Sequence, residues 1–308
     1  MNWFELIFST AFLFSMLRIS TPLIFASLAA LVTRKAGITN IAIEGTMLIA
    51  ALTGVVVSAM TQSALVGVLL AVVMGLGVAL ILGYFALKLK TDMFLAGIAM
   101  NMFASGGTVL ALYIASGDKG ISTGLLSKTL PNVTLPIIAD IPFVGAVLSG
   151  HNLMTYLALL SVVAVQLLMF KTKIGLRIRS VGENEHLAES VGLSVDKIRL
   201  IALLISGALS ALAGAYLSMG YVSWFNRDMT AGRGFIGLSA MNLGNATPIG
   251  SFLASLLFGF AEALTNRLQA LSIPVEFVAM TPYVIAIIGL VVFSVIRERQ
   301  EKKVQKHD

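Results

Sequence analysis

Apolar runs long enough to cross a bilayer recur from residue 6 to residue 296, and no other feature of the chain limits its fold so sharply. A helix needs about 20 predominantly apolar residues to cross a hydrocarbon core. Spans are predicted at 6–33, 38–60, 64–88, 93–116, 153–171, 198–221, 249–271 and 275–296, with a shorter one at 233–246. A mean hydropathy of +0.93 and a charged fraction of 12% exclude a water-soluble globular domain. The fold class is therefore an all-α polytopic membrane protein of about nine spans, one domain over residues 1–308. With no cysteine, the chain has neither a disulfide framework nor a thiolate metal site. Residues 1–5 hold Glu5 and no Lys or Arg, so the first apolar stretch reads as a retained span rather than a cleaved signal.

The net charge of +6 raises the question of a nucleic-acid partner, and its placement answers no. With the C-terminus cytoplasmic, one side holds Arg34, Lys35, Lys88, Lys90, six basic residues between Lys171 and Arg199, and five beyond Ile296. Those make 15 of the 21 Lys and Arg, as the positive-inside rule requires. Nine spans then leave the N-terminus outside.

Several stretches break the regular pattern. Arg18 interrupts the first run and Pro22 follows it. A half-helix near 4–17 at the outer interface, a bend, and a proper span from Ile19 would keep the arginine out of the bilayer centre and put the proline in a first turn. The segments "KAGITNIAIEG" (35–45) and "GRGFIGLSAMNLGNATPIG" (232–250) place glycines, amides and Glu44 where spans are normally apolar. Four spans (19–116) precede the single span 153–171 and four (198–296) follow it. That parity is the arithmetic of two inverted four-span repeats, whose interrupted helices meet near the midplane around a substrate path. Ser206, Ser210 and Gly214, and likewise Gly207, Ala211 and Ala215, are spaced for close helix packing. Residues 117–150, with Pro131, Pro136 and Pro142, form an external loop longer than a connection needs.

Catalytic parts are missing. His151, His186 and His307 are scattered outside the spans, and the chain carries no HExxH, no Gly-x-Ser-x-Gly and no P-loop. Within the spans the acids are Glu44 and Glu262, and the amides include Asn40, Asn101, Asn242 and Asn245. A stand-alone secondary transporter normally needs more buried carboxylates. Amides with nearby aromatics such as Phe94, Phe103 and Phe235 suit a path for a polar, neutral solute, while each Asn taken singly is as well explained by interhelical hydrogen bonding.

One charged stretch stands apart in this apolar chain, "SVGENEHLAESVGL" at 180–193. Gly182 breaks the preceding chain, Glu183, Glu185 and Glu189 follow within two turns, and Gly192 is a natural stop. Leu187, Val191 and Leu193 give it a modest apolar stripe. A lipid-binding helix is basic on its polar face; this one is acidic, which suits docking in a groove of a soluble protein. It reads as a coupling element within a cytoplasmic loop, 172–197.

That stretch, extended as "RIRSVGENEHLAESVGLSVDKIRLIALLISGALSALAGAYL", resembles the coupling loop and following span of permease subunits of bacterial ABC importers, in the branch for ribose, branched-chain amino acids and nucleosides. "RKAGITNIAIEGTMLIAA" (34–51), "IPFVGAVLSGHNLMTYLALL" (141–160) and "GRGFIGLSAMNLGNATPIGSFLASLLFG" (232–259) are similar to the nucleoside permeases. The resemblance implies the ABC importer permease fold and a multi-pass protein of the bacterial cell membrane that carries nucleosides, with sugar or branched-chain amino acid transport as the alternatives. It implies that Gly182, Glu183, Asn184, Glu185, Ala188, Glu189 and Gly192 dock in a cytoplasmic ATPase subunit, which holds the ATP and magnesium; no cofactor is expected in this chain. A second homologous permease and an extracytoplasmic nucleoside-binding lipoprotein or soluble protein complete the expected partners. Relatives usually have Asn-Pro after the Gly-Glu, where this chain has Asn184, Glu185 and His186. The solute path is expected at Asn40, Glu44, Asn101, Phe103, Phe235, Asn242 and Asn245.

Overall fold

A computed structural model describes residues 9–136, 141 and 143–269, so the predicted span 275–296 lies outside the described residues. The helices are α1 (Thr10–Lys35), α2 (Ile43–Thr61), α3 (Ala64–Gly83, prolonged by a π turn at Tyr84–Lys88), α4 (Met93–Ser116), α5 (Val144–Leu148) and α6 (Leu153–Lys171). Then follow α7 (Lys173–Glu183), α8 (Glu185–Ser190), α9 (Val195–Tyr216, prolonged by a π turn at Leu217–Tyr221), α10 (Arg233–Leu243) and α11 (Pro248–Gln269). Among the described residues seven helices are long and apolar enough to cross a membrane, and two isolated bridges, Ile121 with Asn226 and Asn132 with Asn152, pin the loop that follows α4.

The bundle is built around α1 and α9, and each packs on the helices that follow the other. α1 lies against α10 and α11, α9 lies against α2 and α3, and the two long helices touch each other. Small residues set these crossings. A Cβ on Gly75 would sit 2.6 Å from the Gly207 carbonyl oxygen, and one on Gly207 equally 2.6 Å from that of Gly75. Side chains there would force α3 and α9 apart, so the predicted small-residue stripe of α9 is used for packing. On the other side Gly237 of α10 lies against Ala26, and Gly259 of α11 against Ser20.

The first helix corrects one expectation. α1 runs unbroken through Arg18 and Pro22 instead of bending before Ile19. Proline at position 22 removes the amide that would reach the Arg18 carbonyl, and the buried Tyr216 hydroxyl donates to that oxygen instead, at 2.9 Å. The Arg18 guanidinium donates to the Tyr221 carbonyl and lies 4.6 Å from the centre of the Tyr221 ring. The end of α9 thus supplies what a bend would have supplied.

Two boundaries also move. The second span starts at Ile43, not near 38, because Gly37 at φ +78° ends the preceding turn and residues 36–42 stay non-helical. In the loop 172–197 the break falls at Asn184 rather than Gly182. Gly182 lies inside α7 against the Lys35 carbonyl, while the Asn184 side chain accepts from the Leu187 amide at 3.1 Å and caps α8. Gly192, at φ +82°, follows α8 in the left-handed region that glycine permits.

Candidate functional site

The two interrupted segments meet through Glu44. Its carboxylate accepts from the Gly232 amide at 2.7 Å and from the Gly234 amide at 2.6 Å, so the second residue of α2 caps the start of α10. The amides at a helix start have no partner within the helix, and the dipole there favours negative charge. Close approach explains the glycine: a Cβ on Gly234 would sit 2.7 Å from the Glu44 amide nitrogen. Beside this cap, Arg233 donates to the Glu262 carboxylate of α11 at 2.5 Å, with side chains only 17% and 23% exposed.

Amides hold the 36–42 break open. Asn40, 2% exposed, donates to the Ser206 hydroxyl at 3.0 Å and accepts from the Ala42 amide at 2.9 Å. Asn101 of α4 accepts from the Gly45 amide at 2.8 Å and donates to the Ile41 carbonyl at 3.0 Å. Both amides replace backbone hydrogen bonds that the missing helical turn would have made.

The side chains of the remaining predicted path residues take no part in these hydrogen bonds, although Phe235 directly follows the capped Gly234. Phe103 on α4 and Phe235 on α10 are exposed, as are Asn242 and Asn245. Asn242 lies nine residues beyond Arg233, about 13 Å along the α10 axis. Phe235, Ser239 and Asn242 form one exposed face of α10, a mixed aromatic, hydroxyl and amide surface. Asn245, at φ 54°, is part of the turn that ends α10.

Arg227 and Asp228 add to the charges read from the sequence, and Arg18 and His151 gain partners in the fold. Arg227 and Asp228, 3.5 Å apart and exposed, occupy the segment between α9 and α10, where Asp228 accepts from Ser105 of α4 at 3.0 Å. Arg18 borders three cavities, of about 130, 600 and 270 Å3. The largest also has Asn132, Asn152, Tyr221 and Trp224 in its wall. An arginine inside an apolar run signals such a site, but Tyr221 and Trp224 are about two hundred residues away in sequence. His151, stacked on Phe14 with ring centroids 3.9 Å apart, has its protonation held below the ordinary range by burial first and by the Arg18 charge as well.

The charged segment 182–192 is tied to the same break. Arg199 donates to Glu185 at 2.5 Å and to the Ala36 carbonyl at 3.4 Å. Ala188 is buried, Glu183 and Glu189 are exposed, and Leu187 and Val191 present their apolar side chains outward at 65% and 74% exposure. The resulting surface is acidic and partly apolar.

A family model described as the permease component of branched-chain amino acid transport systems matches residues 12–296. The nucleoside ABC transporter permease protein NupC of Lactococcus lactis is 31% identical, over 91% of this chain and 90% of its own. The guanosine ABC transporter permease protein NupQ of Bacillus subtilis is 31% identical over 89% of each chain. The putative glucose ABC transporter permease protein TsgC13 of Haloferax volcanii is also 31% identical, over 87% of this chain and 81% of its own. No solved structure matches the chain. Its seven apolar helices and a family match that spans nearly all of its residues place this multi-pass membrane protein in the permease-component family of branched-chain amino acid transport systems.

Proposed function

We propose that this protein is the membrane-spanning subunit of an ATP-driven importer and that its solute is a nucleoside. The observation that carries the reading is the likeness to NupC and NupQ along about nine-tenths of the chain. The coupling segment supports the ATP-driven part: an acidic helix with outward Leu187 and Val191 suits a groove on a cytoplasmic ATPase subunit, which would hold the ATP and magnesium. A second permease of the same family and an extracytoplasmic nucleoside-binding protein complete the assembly.

The exposed face of α10 and the exposed Phe103 of α4 line the solute path in this reading. Phe103 and Phe235 offer ring faces, and Asn242 with Ser239 offers hydrogen bonds without fixed charge. Asn40, Asn101 and Glu44 act on the path by shaping its two breaks. A conducting site needs contacts weak enough to release the solute, which leaves capture to the binding protein. The reciprocal packing of α1 and α9 supports reading 19–116 and 198–296 as inverted repeats.

Charge orients the chain with its N-terminus outside and its C-terminus in the cytoplasm. A cysteine placed at Lys128, in a chain that has none, should react with an impermeant reagent on intact cells. Reaction only after lysis would reverse the topology.

The equal likeness to TsgC13 makes a sugar the second reading. ATPase stimulation of the reconstituted importer, measured over a panel of nucleosides, nucleobases, glucose and ribose, decides between them. Stimulation by glucose and not by guanosine, adenosine or uridine would overturn the nucleoside assignment.

A further inference from the structure

A groove of about 630 Å3 opens on the outer side of the bundle, where the end of α3 meets the start of α9. Two of its lining residues, Leu87 and Leu200, pack in one cluster with Ile38 and Ala42 of the first break, and none of its lining residues belongs to α10. Leu80, Ile81, Tyr84 and Phe85 line one wall and are each between 45% and 49% exposed. Leu200 of α9 forms the opposite wall, and Gly83 forms the floor, where a Cβ would sit 2.6 Å from Leu200 Cδ1. Apolar exposure alone is ordinary on a helix in lipid. The groove differs in being concave and in having one charged end.

That end carries Lys88, Lys197 and Asp196. Lys90 pairs with Asp196 at 3.1 Å, which occupies the single carboxylate of the rim. Lys88 and Lys197 make no ion pair among the described residues. The π turn at Tyr84–Lys88 carries the Lys88 ammonium to 5.5 Å from the Tyr84 ring centre, holding it over the mouth of the groove. Both cations stand at the last residue of the α3 π turn and the first turn of α9, the ends next to the 184–194 segment; the topology proposed above puts those ends at the cytoplasmic headgroups.

We propose that this groove is a site for one anionic glycerophospholipid of that leaflet. An acyl chain lies along Ile81, Tyr84 and Leu200, and the phosphate lies between Lys88 and Lys197. Charge complementarity selects this occupant. Basic pockets between membrane helices at the cytoplasmic face recognise anionic headgroups, and long basic side chains reach that level while their stems stay apolar. A zwitterionic lipid offers the same chain with no net charge to meet two cations. A helix of a second permease would have to bury both ammonium groups against apolar surface, at a desolvation cost it does not recover.

The site has a mechanical consequence. α3 and α9 already cross at Gly75 and Gly207, and the lipid would bridge them a second time at their ends, next to the loop that leads from α8 into α9. The position of the coupling segment against its ATPase then depends on occupancy.

The test uses the complete importer. Complex released in detergent is examined by native mass spectrometry for bound phosphatidylglycerol, and ATPase activity is measured in phosphatidylcholine vesicles with and without phosphatidylglycerol. The expected result is retained phosphatidylglycerol, higher activity in the vesicles that contain it, and roughly tenfold to thirtyfold weaker retention in the Lys88→Gln/Lys197→Gln variant. Ile81→Trp, which fills the groove and keeps both lysines, should also lose the lipid and provides the test if the double variant is not produced. Equal retention of phosphatidylcholine, retention unchanged in the assembled variants, or a cysteine at Ile81 that crosslinks to the second permease overturns the proposal.

Discussion

The Tyr216 hydroxyl donates to the carbonyl oxygen of Arg18, the one acceptor in α1 that Pro22 leaves without its amide. A residue near the end of the sixth long helix thereby repairs a defect in the first, and it does so where a bend was expected. The repair predicts a conditional effect. Tyr216→Phe should cost about 1–3 kcal/mol, because it strands a buried carbonyl. Pro22→Ala restores the missing amide, so the double variant should recover most of that loss. A double-mutant cycle on thermal unfolding in detergent measures the coupling; strictly additive losses would show that the two sites are independent.

Glu44 should behave as a helix cap. Glu44→Gln keeps one oxygen acceptor for the start of α10, sets an NH2 donor against the second amide and loses the charge, and Glu44→Ala loses both acceptors as well. Transport should fall in the order parent, Gln, Ala, with a stability cost of about 1–2 kcal/mol for the alanine variant. Uptake and unfolding measured on the same preparations test the order. Equal transport in all three would place the path elsewhere.

The coupling segment separates surface from tie. Glu183→Lys with Glu189→Lys changes two exposed acids, and should abolish ATPase recruitment and uptake while membrane insertion stays normal. Glu185→Gln instead loosens the contact with Arg199, which also reaches Ala36. That variant should still recruit the ATPase yet couple hydrolysis to uptake less efficiently. Co-purification and the ratio of transport to hydrolysis distinguish the two outcomes.

His151 makes stability depend on acidity in one direction. Its folded form resists protonation because it is buried, and the Arg18 charge adds to the effect, whereas the unfolded chain takes up a proton near the usual 6.5. The stabilisation is therefore complete above about pH 6.5 and is lost as the pH falls toward and through the lower folded value. His151→Gln should flatten the loss between pH 7 and pH 5 in unfolding curves. An unchanged pH slope in that variant would assign the acid sensitivity to other groups.

How much of this was legible depends on the distance over which each signal acts. Apolar runs specify helices locally, so α2, α3, α4 and α6 fall close to their predicted places. The breaks around Asn40–Glu44 and Arg233–Asn245 also show as glycines and amides at apolar depth. That they meet follows from the repeat parity, but the contact that joins them could not be read, because a Glu44 that caps the backbone of Gly232 and Gly234 leaves no mark on either segment beyond small residues. Arg18 was conspicuous, but its partners Tyr216 and Tyr221 are ordinary aromatics in a distant span. At Gly182 and Asn184 two rules competed. Glycine as a breaker suggested one boundary, and the capping side chain of Asn184 decided the other.

The crossed arrangement of α1 and α9 has a consequence for how the protein is made. Ser20, Thr21, Ser27 and Thr33 of α1 are all fully buried, and Ser27 accepts a hydrogen bond from Ser255 while Ser20 lies against Gly259. A ribosome working at about 5–20 residues per second needs roughly ten seconds to a minute to reach those positions after it has finished α1. Through that interval the helix waits in lipid with its hydroxyls turned onto its own backbone, as Ser20 and Thr21 are toward Met16 and Leu17. Release from the insertion machinery and completion of the bundle are therefore separate events, and a chain halted before Pro248 leaves its central helix uncovered for membrane proteases to find.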